Sequence, residues 1–273
     1  MNKDSFFKIG STHNICQDYA ISGRDEHYKV DYAIISDGCS GAEDTDIGSR
    51  LVSLIAKQNI SLSTHSNLFF ENVISDLKSS CNDSSLILSE DCLHATLLLA
   101  SYIEIEDCFT TIVVGDGAVV AKASDGSMLV NEYEFESGAP YYLRYELNAD
   151  LKSFYMNQYN KGVRLVSYMI DPKGKVFDKK VEELNFNDEN WYFAKKFDAT
   201  IWETVGIISD GLKSFICNGV PVDSSEIVKE LFGFKSYNGH FVKRRCKKAF
   251  ELFKKNNVDH FDDFSISVLS KKE

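Results

Sequence analysis

AIISDGCSG, residues 33–41, is a short apolar run that ends abruptly in Asp37-Gly38 and continues into a loop with a further glycine. Apolar runs of this length, bounded by turn residues, are typical of buried strands. Asp37 is therefore expected where a strand leaves the core, so that its carboxylate is held rigidly and still reaches solvent. Gly38 would let the backbone come close to whatever that carboxylate binds. The stretch predicts a strand that delivers an acid to a binding site.

The same arrangement recurs along the chain. IVVG precedes Asp116, and VGIIS precedes Asp210. Two further acidic positions, Asp18 and the pair Asp262-Asp263, also border apolar runs. Because a sheet aligns the ends of its strands, these distant acids are expected to meet at one edge.

Asp-Gly also has a purely structural use. It is a preferred dipeptide of two-residue hairpin turns, and this explanation competes with acid delivery at every Asp-Gly in the chain. Asp125-Gly126 stands between two short strand patterns. We interpret that dipeptide as a hairpin turn rather than as part of a site.

The composition is that of an ordinary globular protein. Of 273 residues, 44% are hydrophobic and 26% are charged, as in typical folded domains. The apolar runs are far shorter than the ~18 residues of a membrane helix, and the N-terminus lacks a signal-peptide core. Seven cysteines without a Cys-x-x-Cys pair favour reduced thiols. We expect a cytoplasmic protein without a membrane partner, with residues 1–273 forming one domain and an irregular elaboration at about 131–200.

The net charge of −11 argues against a nucleic-acid partner, because neutralising phosphates takes clusters of Lys and Arg. One basic cluster is present, Lys243-Arg244-Arg245 with Lys247-Lys248. It falls within a helical pattern over about 240–253, and we interpret it as the solvated face of an amphipathic helix. The excess of acid instead suits hard cations.

Local patterns predict a mixture of helices and strands. Residues 46–60 repeat apolar side chains at helical spacing, at Ile47, Leu51, Leu54 and Ile55, and this face is expected to pack on the core. Strands are expected at 30–36, 93–100, 109–114, 118–121, 128–130, 141–147, 163–170 and 264–269.

A second helix is expected over 69–77, and the polar residues from Cys81 to Asp91 are expected to form a loop. Strands and helices rarely alternate as βαβ units in this sequence. The fold class is therefore α+β, with helices layered on strands.

The acids point to a particular class of metal. Carboxylates with few histidines and no thiol cluster select Mg²⁺ or Mn²⁺, which take oxygen ligands. Two such ions can polarise a phosphoryl oxygen and activate a water for attack. Asp37-Gly38 could supply a bridging carboxylate and a backbone carbonyl together.

Five acidic motifs carry a family resemblance. They are Cys16-Gln17-Asp18, Ser36-Asp37-Gly38-x-x-Gly41, Val114-Gly115-Asp116, Ile208-Ser209-Asp210-Gly211 and Asp262-Asp263-Phe264-Ser265. In order and approximate spacing they resemble the metal-dependent protein phosphatases of the 2C family. Successive acids are 19, 79, 94 and 52 residues apart, so the resemblance spans nearly the whole chain. It implies two packed, mainly antiparallel β-sheets flanked by helices, with a di-metal centre at one end of the sandwich.

The resemblance also implies roles for individual residues. Asp37 would bridge two ions, and Gly38 would offer its carbonyl. Asp210 and Asp262 would hold one of these ions. The family motif Asp-x-x-Ser/Thr favours Asp262 over its neighbour, with Asp263 as the alternative.

Two acids have more distant roles in the family. By resemblance, Asp18 would act through a metal-bound water, and Asp116 would serve a weaker third ion. The cofactors implied are thus two ions of Mg²⁺ or Mn²⁺, with a third, weaker position.

Two positions depart from the family pattern. Many relatives have a phosphate-binding arginine where this chain has His13, and many eukaryotic relatives have a histidine general acid where it has Cys39. A histidine can bind phosphate only as a cation or a hydrogen-bond donor, so phosphate affinity would depend on pH. Cys39 leaves protonation of the leaving group to another group.

Together the residues and the resemblance predict a phosphoserine/phosphothreonine protein phosphatase with Asp37, Asp18 and His13 as its catalytic set. No Cys-x5-Arg nucleophile loop is present, so water would attack phosphorus directly. The expected partners are phosphorylated proteins and a cognate Ser/Thr kinase, which would make it a signalling enzyme. The alternative, favoured by His13 and Cys39, is a catalytically weak or inactive phosphatase-fold module that regulates or binds phosphoproteins.

Overall fold

The computed structural model describes residues 1–83 and 89–272. Within these residues, fifteen strands form three sheets in which every strand pair is antiparallel. The strands are β1 Asn2–Lys8, β2 Asp18–Asp25, β3 Val30–Asp37, β4 Leu97–Ile103, β5 Cys108–Val114, β6 Gly117–Ala123, β7 Met128–Phe135, β8 Val163–Ile170, β9 Val176–Leu184, β10 Phe193–Asp198, β11 Trp202–Ile208, β12 Phe215–Cys217, β13 Val220–Pro221, β14 Val258–His260 and β15 Phe264–Ser270. The helices are α1 Thr45–Gln58, α2 Ser66–Asp83, α3 Arg144–Leu147, α4 Ala149–Gln158, α5 Ser224–Leu231 and α6 Phe241–Lys255.

Two large sheets form the centre of the molecule. The seven-stranded sheet has the order β1-β15-β11-β6-β7-β8-β9, and the five-stranded sheet has the order β10-β5-β4-β3-β2. A small third sheet has the order β13-β12-β14. The first and last strands of the chain are neighbours, because β1 pairs with β15 along its whole length.

An apolar layer joins the two large sheets. Ile35, Leu98 and Val113 of the five-stranded sheet belong to one fully buried cluster with Val119 and Ile207 of the seven-stranded sheet. The outer faces of these strands are covered as well. The central strands are therefore continuous apolar runs rather than alternating ones.

Helices cover both outer faces. Val52 of α1 and Phe69 of α2 pack in one cluster with β3 and β4 of the five-stranded sheet. Ile227 of α5 and Val242 of α6 pack in another with the seven-stranded sheet. The predicted α+β architecture, two antiparallel sheets flanked by helices, is confirmed.

Helix α1 is present as predicted, and its expected buried face is partly right: Ile55 is buried and Leu51 packs against the core, whereas Ile47 and Leu54 do not. Ile47 and Leu54 are 40% and 44% exposed. The helix instead packs through smaller residues, with Gly48, Val52 and Ala56 among those buried. A Cβ on Gly48 would lie 1.6 Å from the carbonyl oxygen of Cys92. Close approach of the backbones at Gly48, together with the apolar side chains of Val52 and Ile55, determines which face of α1 is buried.

Residues 131–200 contain regular elements as well as loops. The strand predicted at 163–170 is confirmed as β8. The strand predicted at 141–147 is wrong, because residues 144–147 form the short helix α3. Tyr141 is fully buried against the rings of Tyr155 and Phe186. The apolar residues of this segment suggested a strand, but they are buried next to a short helix instead.

The loop predicted from Cys81 to Asp91 is only partly described. Residues 84–88 lie outside the described residues. On one side α2 extends to Asp83, and on the other a 3-10 turn spans Glu90–Leu93. The loop prediction is therefore wrong at both flanks.

Two predictions from composition can be compared with the structure. Six cysteines are free thiols: Cys16, Cys39, Cys92, Cys108, Cys217 and Cys246. In the described part of the chain, no helix combines the length and apolar character needed to cross a bilayer.

Candidate metal centre

The first two acids come from neighbouring strands. Asp18 is the first residue of β2, Asp37 is the last residue of β3, and the two lie opposite each other in the strand register. The amide of Asp37 donates to Thr96 Oγ1 at 3.0 Å, and its carbonyl accepts from the Thr96 amide at 2.8 Å. Asp18 is only 1% exposed. Strand pairing thus fixes both carboxylates at one edge of the five-stranded sheet.

The facing sheet contributes acids at the same end. Asp210 begins a 3-10 turn directly after β11, Asp116 lies in the turn between β5 and β6, and Asp262 precedes β15. A hydroxyl connects the two sheets here, because Ser209 Oγ donates to Asp18 Oδ2 at 2.8 Å. Antiparallel pairing brings strand starts and strand ends together, which explains why such distant residues meet.

The acids perturb one another. Burial, with the nearby charge of Asp210 as a further cause, raises the pKa of Asp18 to about 7. Burial, followed by the charges of Asp18 and Asp210, raises the pKa of Asp37 well above its usual range. The pKa values of Asp116 and Asp262 are also raised, first by burial and then by Asp210. Asp210 is the common neighbour of the other four acids.

The donor set fits a hard cation. Asp18 Oδ1 is buried and has no hydrogen-bond partner. A buried carboxylate oxygen left unpaired is costly, and several carboxylates together cost more because like charges repel. Oxygen ligands of this kind suit Mg²⁺ or Mn²⁺. Across residues 1–83 and 89–272, no three His, Cys, Asp or Glu side chains already stand at the spacing of a metal cage, and Mg²⁺ usually keeps several water ligands beside its carboxylates.

Gly38 is constrained by packing. A Cβ at this position would lie 2.6 Å from the carbonyl oxygen of Thr45, the first residue of α1. The Thr45 hydroxyl donates to the Cys39 carbonyl at 3.0 Å and accepts from the Gln17 side chain at 2.6 Å. The absence of a side chain at Gly38 lets the start of α1 approach the loop that follows Asp37.

Asp262 and Asp263 differ sharply. Asp263 is buried and accepts backbone N–H groups from Gly10 at 2.8 Å and from Gln17 at 2.5 Å. The Asp262 side chain is 49% exposed and accepts the Asp263 amide at 2.9 Å. Asp263 therefore fastens the N-terminal segment to the C-terminal one, whereas Asp262 keeps oxygen capacity for a ligand.

His13 lies between these two carboxylates. Its Nε2 is 3.3 Å from Asp262, and its Nδ1 is 3.2 Å from Asp263. The second contact is not aligned as a hydrogen bond, and Nδ1 is otherwise buried without a partner. In this structure the His13 ring faces acids on both sides.

Tyr142 belongs to the site although no sequence pattern indicated it. Its ring packs edge-on against His94, with 5.6 Å between the ring centres, and only 8% of the residue is exposed. Burial raises the pKa of its hydroxyl strongly, and the neighbouring Cys39, Asp116 and Asp37 raise it further. Sequence reasoning placed this residue in a strand. A tyrosine in a loop before a short helix carries no signal of its own.

Asp125 stands apart from the site, as predicted. It lies in the exposed turn between β6 and β7, where Gly126 has a φ of +94°. Its Oδ1 accepts the amide of Ser127 at 2.8 Å and the Ser127 hydroxyl at 2.6 Å. The hairpin interpretation of this Asp-Gly is confirmed.

Comparison with known proteins gives a family match over part of the chain. Residues 10–132, slightly less than half of the chain, match the family model described as Protein phosphatase 2C. This range includes Asp18, Asp37 and Asp116, and it ends before Asp210. No sequence among the curated proteins matches the chain.

Solved structures extend the likeness to the whole chain at the level of fold. The serine/threonine phosphatase Stp1 from Staphylococcus aureus is 12% identical, with a TM-score of 0.54 over 100% of this chain and 96% of that one. The S. agalactiae serine/threonine phosphatase is 11% identical, with a TM-score of 0.53 over 97% of each chain. A bacterial serine phosphatase is 13% identical, with a TM-score of 0.54 over 99% of this chain and 97% of that one. Together with the family model, these matches confirm the resemblance and the fold that the motifs predicted.

Proposed function

We propose that this chain, which matches the protein phosphatase 2C family over residues 10–132 and has the fold of bacterial phosphatases of that type, is a metal-dependent phosphoserine/phosphothreonine protein phosphatase. The observation that carries the proposal is the meeting of Asp18 and Asp37 with Asp210 at the facing ends of two sheets. The unpartnered, buried Asp18 Oδ1 at this meeting point supports a cation as the missing partner.

The individual roles follow from position. Asp37, with the Gly38 carbonyl, would hold both ions, because the Asp37 carboxylate interacts with both Asp18 and Asp210. Asp210 and Asp262 would hold one of these ions. The two backbone amides on Asp263 support Asp262, rather than Asp263, as the ligand.

Asp18 and Asp116 would have less direct roles at the two main ions. Asp18 is fixed by the Ser209 hydroxyl, so it can orient water rather than move toward a ligand. Asp116 shares the neighbourhood of Asp210 and would serve the weaker third ion.

Bound Mg²⁺ or Mn²⁺ would supply an activated water and neutralise charge on the phosphoryl oxygens. The remaining work belongs to side chains. Tyr142, like any tyrosine, keeps its hydroxyl proton at neutral pH, and burial raises its pKa further, so it offers a hydrogen-bond donor at the rim of the acids. The phosphate contact of His13 stays a prediction. The contacts in this structure support a second role for His13, which is to hold Asp262 in place.

The test is hydrolysis of p-nitrophenyl phosphate and of a phosphoserine peptide in Mn²⁺ or Mg²⁺, with chelator as the control. Activity that needs the metal and is lost in Asp37→Asn is expected. A pure protein that binds Mn²⁺ but hydrolyses neither substrate would contradict the proposal. That outcome would favour the alternative, a phosphatase-fold module that binds or regulates phosphoproteins. The observation that supports this alternative is that no three His, Cys, Asp or Glu side chains of the described residues stand at metal-binding spacing.

The proposed partners follow from the reaction. The substrate class is phosphorylated protein, and a Ser/Thr kinase that makes such substrates is the proposed functional counterpart.

A further inference from the structure

Helix α6 carries positive charge on a negative protein. Its fifteen residues include seven basic side chains and one acidic one, Glu251. Since α6 contributes +6 to a net charge of −11, the remainder of the chain carries −17. Val242, Cys246 and Phe253 occupy the buried face of α6. The charge is therefore gathered on the opposite, exposed face.

Most of this charge is not neutralised by the protein itself. Arg245 is paired with Glu230, with 2.6 Å between Nη2 and the carboxylate. Lys243, Lys247 and Lys248 are exposed, and none of them has an ion pair within the described part of the chain. An uncompensated row of ammonium groups is available to an anionic ligand.

Two apolar cavities flank the row. The first has a volume of 280 Å³ and lies beside the start of α6, where the rings of Phe234 and Phe241 are rimmed by basic residues. The second has a volume of 870 Å³ and is lined by aromatic and aliphatic side chains that include Phe6, Ile9 and Phe250. Lys247 lines both cavities. Glu251 and Asp259 also line the second cavity, so the surface combines apolar depressions with an excess of positive charge.

The second cavity lies next to the N-terminal segment that Asp263 anchors beside the candidate metal centre. Gly10 and Ser11 line it, and the Gly10 amide donates to Asp263 at 2.8 Å. The first turn of α6 contacts Asp4 near the start of β1, and Phe250 contacts Phe6 near its end. The helix thus runs beside β1 toward the loop that carries His13.

We propose that the α6 surface docks an acidic polypeptide segment containing aromatic or aliphatic side chains, next to the phosphorylated residue of a protein substrate. The proposal rests on the proposed function, since it names the substrate feature that this site would select. Carboxylates would meet the lysines, and apolar side chains would fill the two cavities. An α-helix of this length spans about 22 Å, which an extended segment of roughly seven residues would cover. A flat anionic membrane is less well matched, because the rest of the molecule carries −17 and would be repelled.

The test measures binding without catalysis. A short fluorescein-labelled peptide of Asp, Glu and Phe, carrying no phosphate, is titrated with the whole protein and followed by anisotropy. Wild type should bind it, Lys247→Glu with Lys248→Glu should bind about tenfold more weakly, and added salt should weaken binding. Lys57→Glu with Lys78→Glu, exposed positions on α1 and α2 with the same change of charge, should bind like wild type. A peptide with Ala in place of Phe should bind more weakly than the Phe peptide.

Kinetics then locates the docked segment. An acidic aromatic segment fused beside a phosphoserine should lower KM about tenfold for wild type and for the α1/α2 pair, the variant Lys57→Glu with Lys78→Glu. It should not lower KM for the α6 pair, the variant Lys247→Glu with Lys248→Glu. Equal peptide affinity in wild type and the α6 pair would overturn the proposal, as would co-sedimentation with phosphatidylserine vesicles that displaces the peptide. Hydrolysis of p-nitrophenyl phosphate by wild type tests the proposed function separately. Peptide binding without hydrolysis rejects the phosphatase, and hydrolysis without binding rejects only the docking surface.

Discussion

Asp210 and Asp125 precede glycine in the same dipeptide, yet their surroundings differ completely. Asp125 is solvent-exposed, and its hydrogen bonds to Ser127 lower its pKa. Asp210 lies among four carboxylates whose pKa values are raised. Asp125 therefore serves as a control for Asp210, because the same dipeptide occurs in both places.

Asp210→Asn should reduce phosphatase activity about a hundredfold or more, because even changes behind a metal ligand cost about 10–100-fold. Mn²⁺ at ~100 times its Kd should stabilise wild type by about 2.7 kcal/mol, and this variant by clearly less. Turnover and melting with and without Mn²⁺ provide the measurement. Asp125→Asn should keep both the turnover and the metal response. Identical behaviour of the two variants would remove Asp210 from the centre.

At the scale of elements, α1 illustrates what the sequence could and could not predict. The helical period located the helix, but hydrophobicity selected Ile47 and Leu54, which are exposed. Contact between Gly48 and the Cys92 carbonyl depends on residues 44 positions apart, and no local pattern encodes it. Tyr142 was missed for the same kind of reason. The meeting of the acids at one end of the sheets was predictable because each one borders an apolar strand, whereas their roles as ligands stay a prediction.

Gly48→Ala should therefore destabilise the protein, although the same change in an exposed helix is stabilising by about 1 kcal/mol. The added Cβ would overlap the Cys92 carbonyl, and such overpacking typically costs about 1–3 kcal/mol. Leu54→Ala, on the exposed side of the same helix, should change stability much less. Urea denaturation of both variants decides the matter; a stabilised Gly48→Ala would show that this contact is not rigid.

The segment before Tyr142 offers a second test at this scale. The buried Tyr155 of α4 donates its hydroxyl to the Ala139 carbonyl at 2.7 Å. Tyr155→Phe should free the 136–140 loop beside the site and raise KM for a phosphopeptide more than for p-nitrophenyl phosphate, since loops of this kind govern access. Tyr159→Phe, 43% exposed at the end of the same helix, is the control. An equal loss on both substrates would indicate a folding role instead.

At the scale of the whole molecule, the clustered acids make stability depend on pH. An unfolded aspartate titrates near pH 3.9, whereas the pKa of folded Asp18 is about 7. Between these values the folded chain holds a proton that the unfolded chain has released. The bound proton on Asp18 therefore raises the free energy of unfolding. This stabilisation is fully present below about pH 4 and is lost as the pH rises through 7.

Chelator-treated protein should accordingly melt at a higher temperature near pH 5 than near pH 8. The free energy of unfolding should change by about 1 kcal/mol per pH unit, an order-of-magnitude value. Mn²⁺ at pH 8 should restore the loss, because a cation replaces the protons. Asp18→Asn should flatten the slope, and an unchanged slope in that variant would assign the pH dependence to other groups.

The pairing of β1 with β15 sets the order of events when the chain is synthesised. The β2–β3 hairpin, with Asp18 opposite Asp37, uses neighbouring residues and can form early. Asp263, which anchors Gly10 and Gln17, leaves the ribosome about 245 residues after Asp18. At ~5–20 residues per second, this delay is roughly 12–50 seconds. Until then, the nascent chain exposes an incomplete set of acids, so the candidate metal centre can assemble only after Asp263 has emerged.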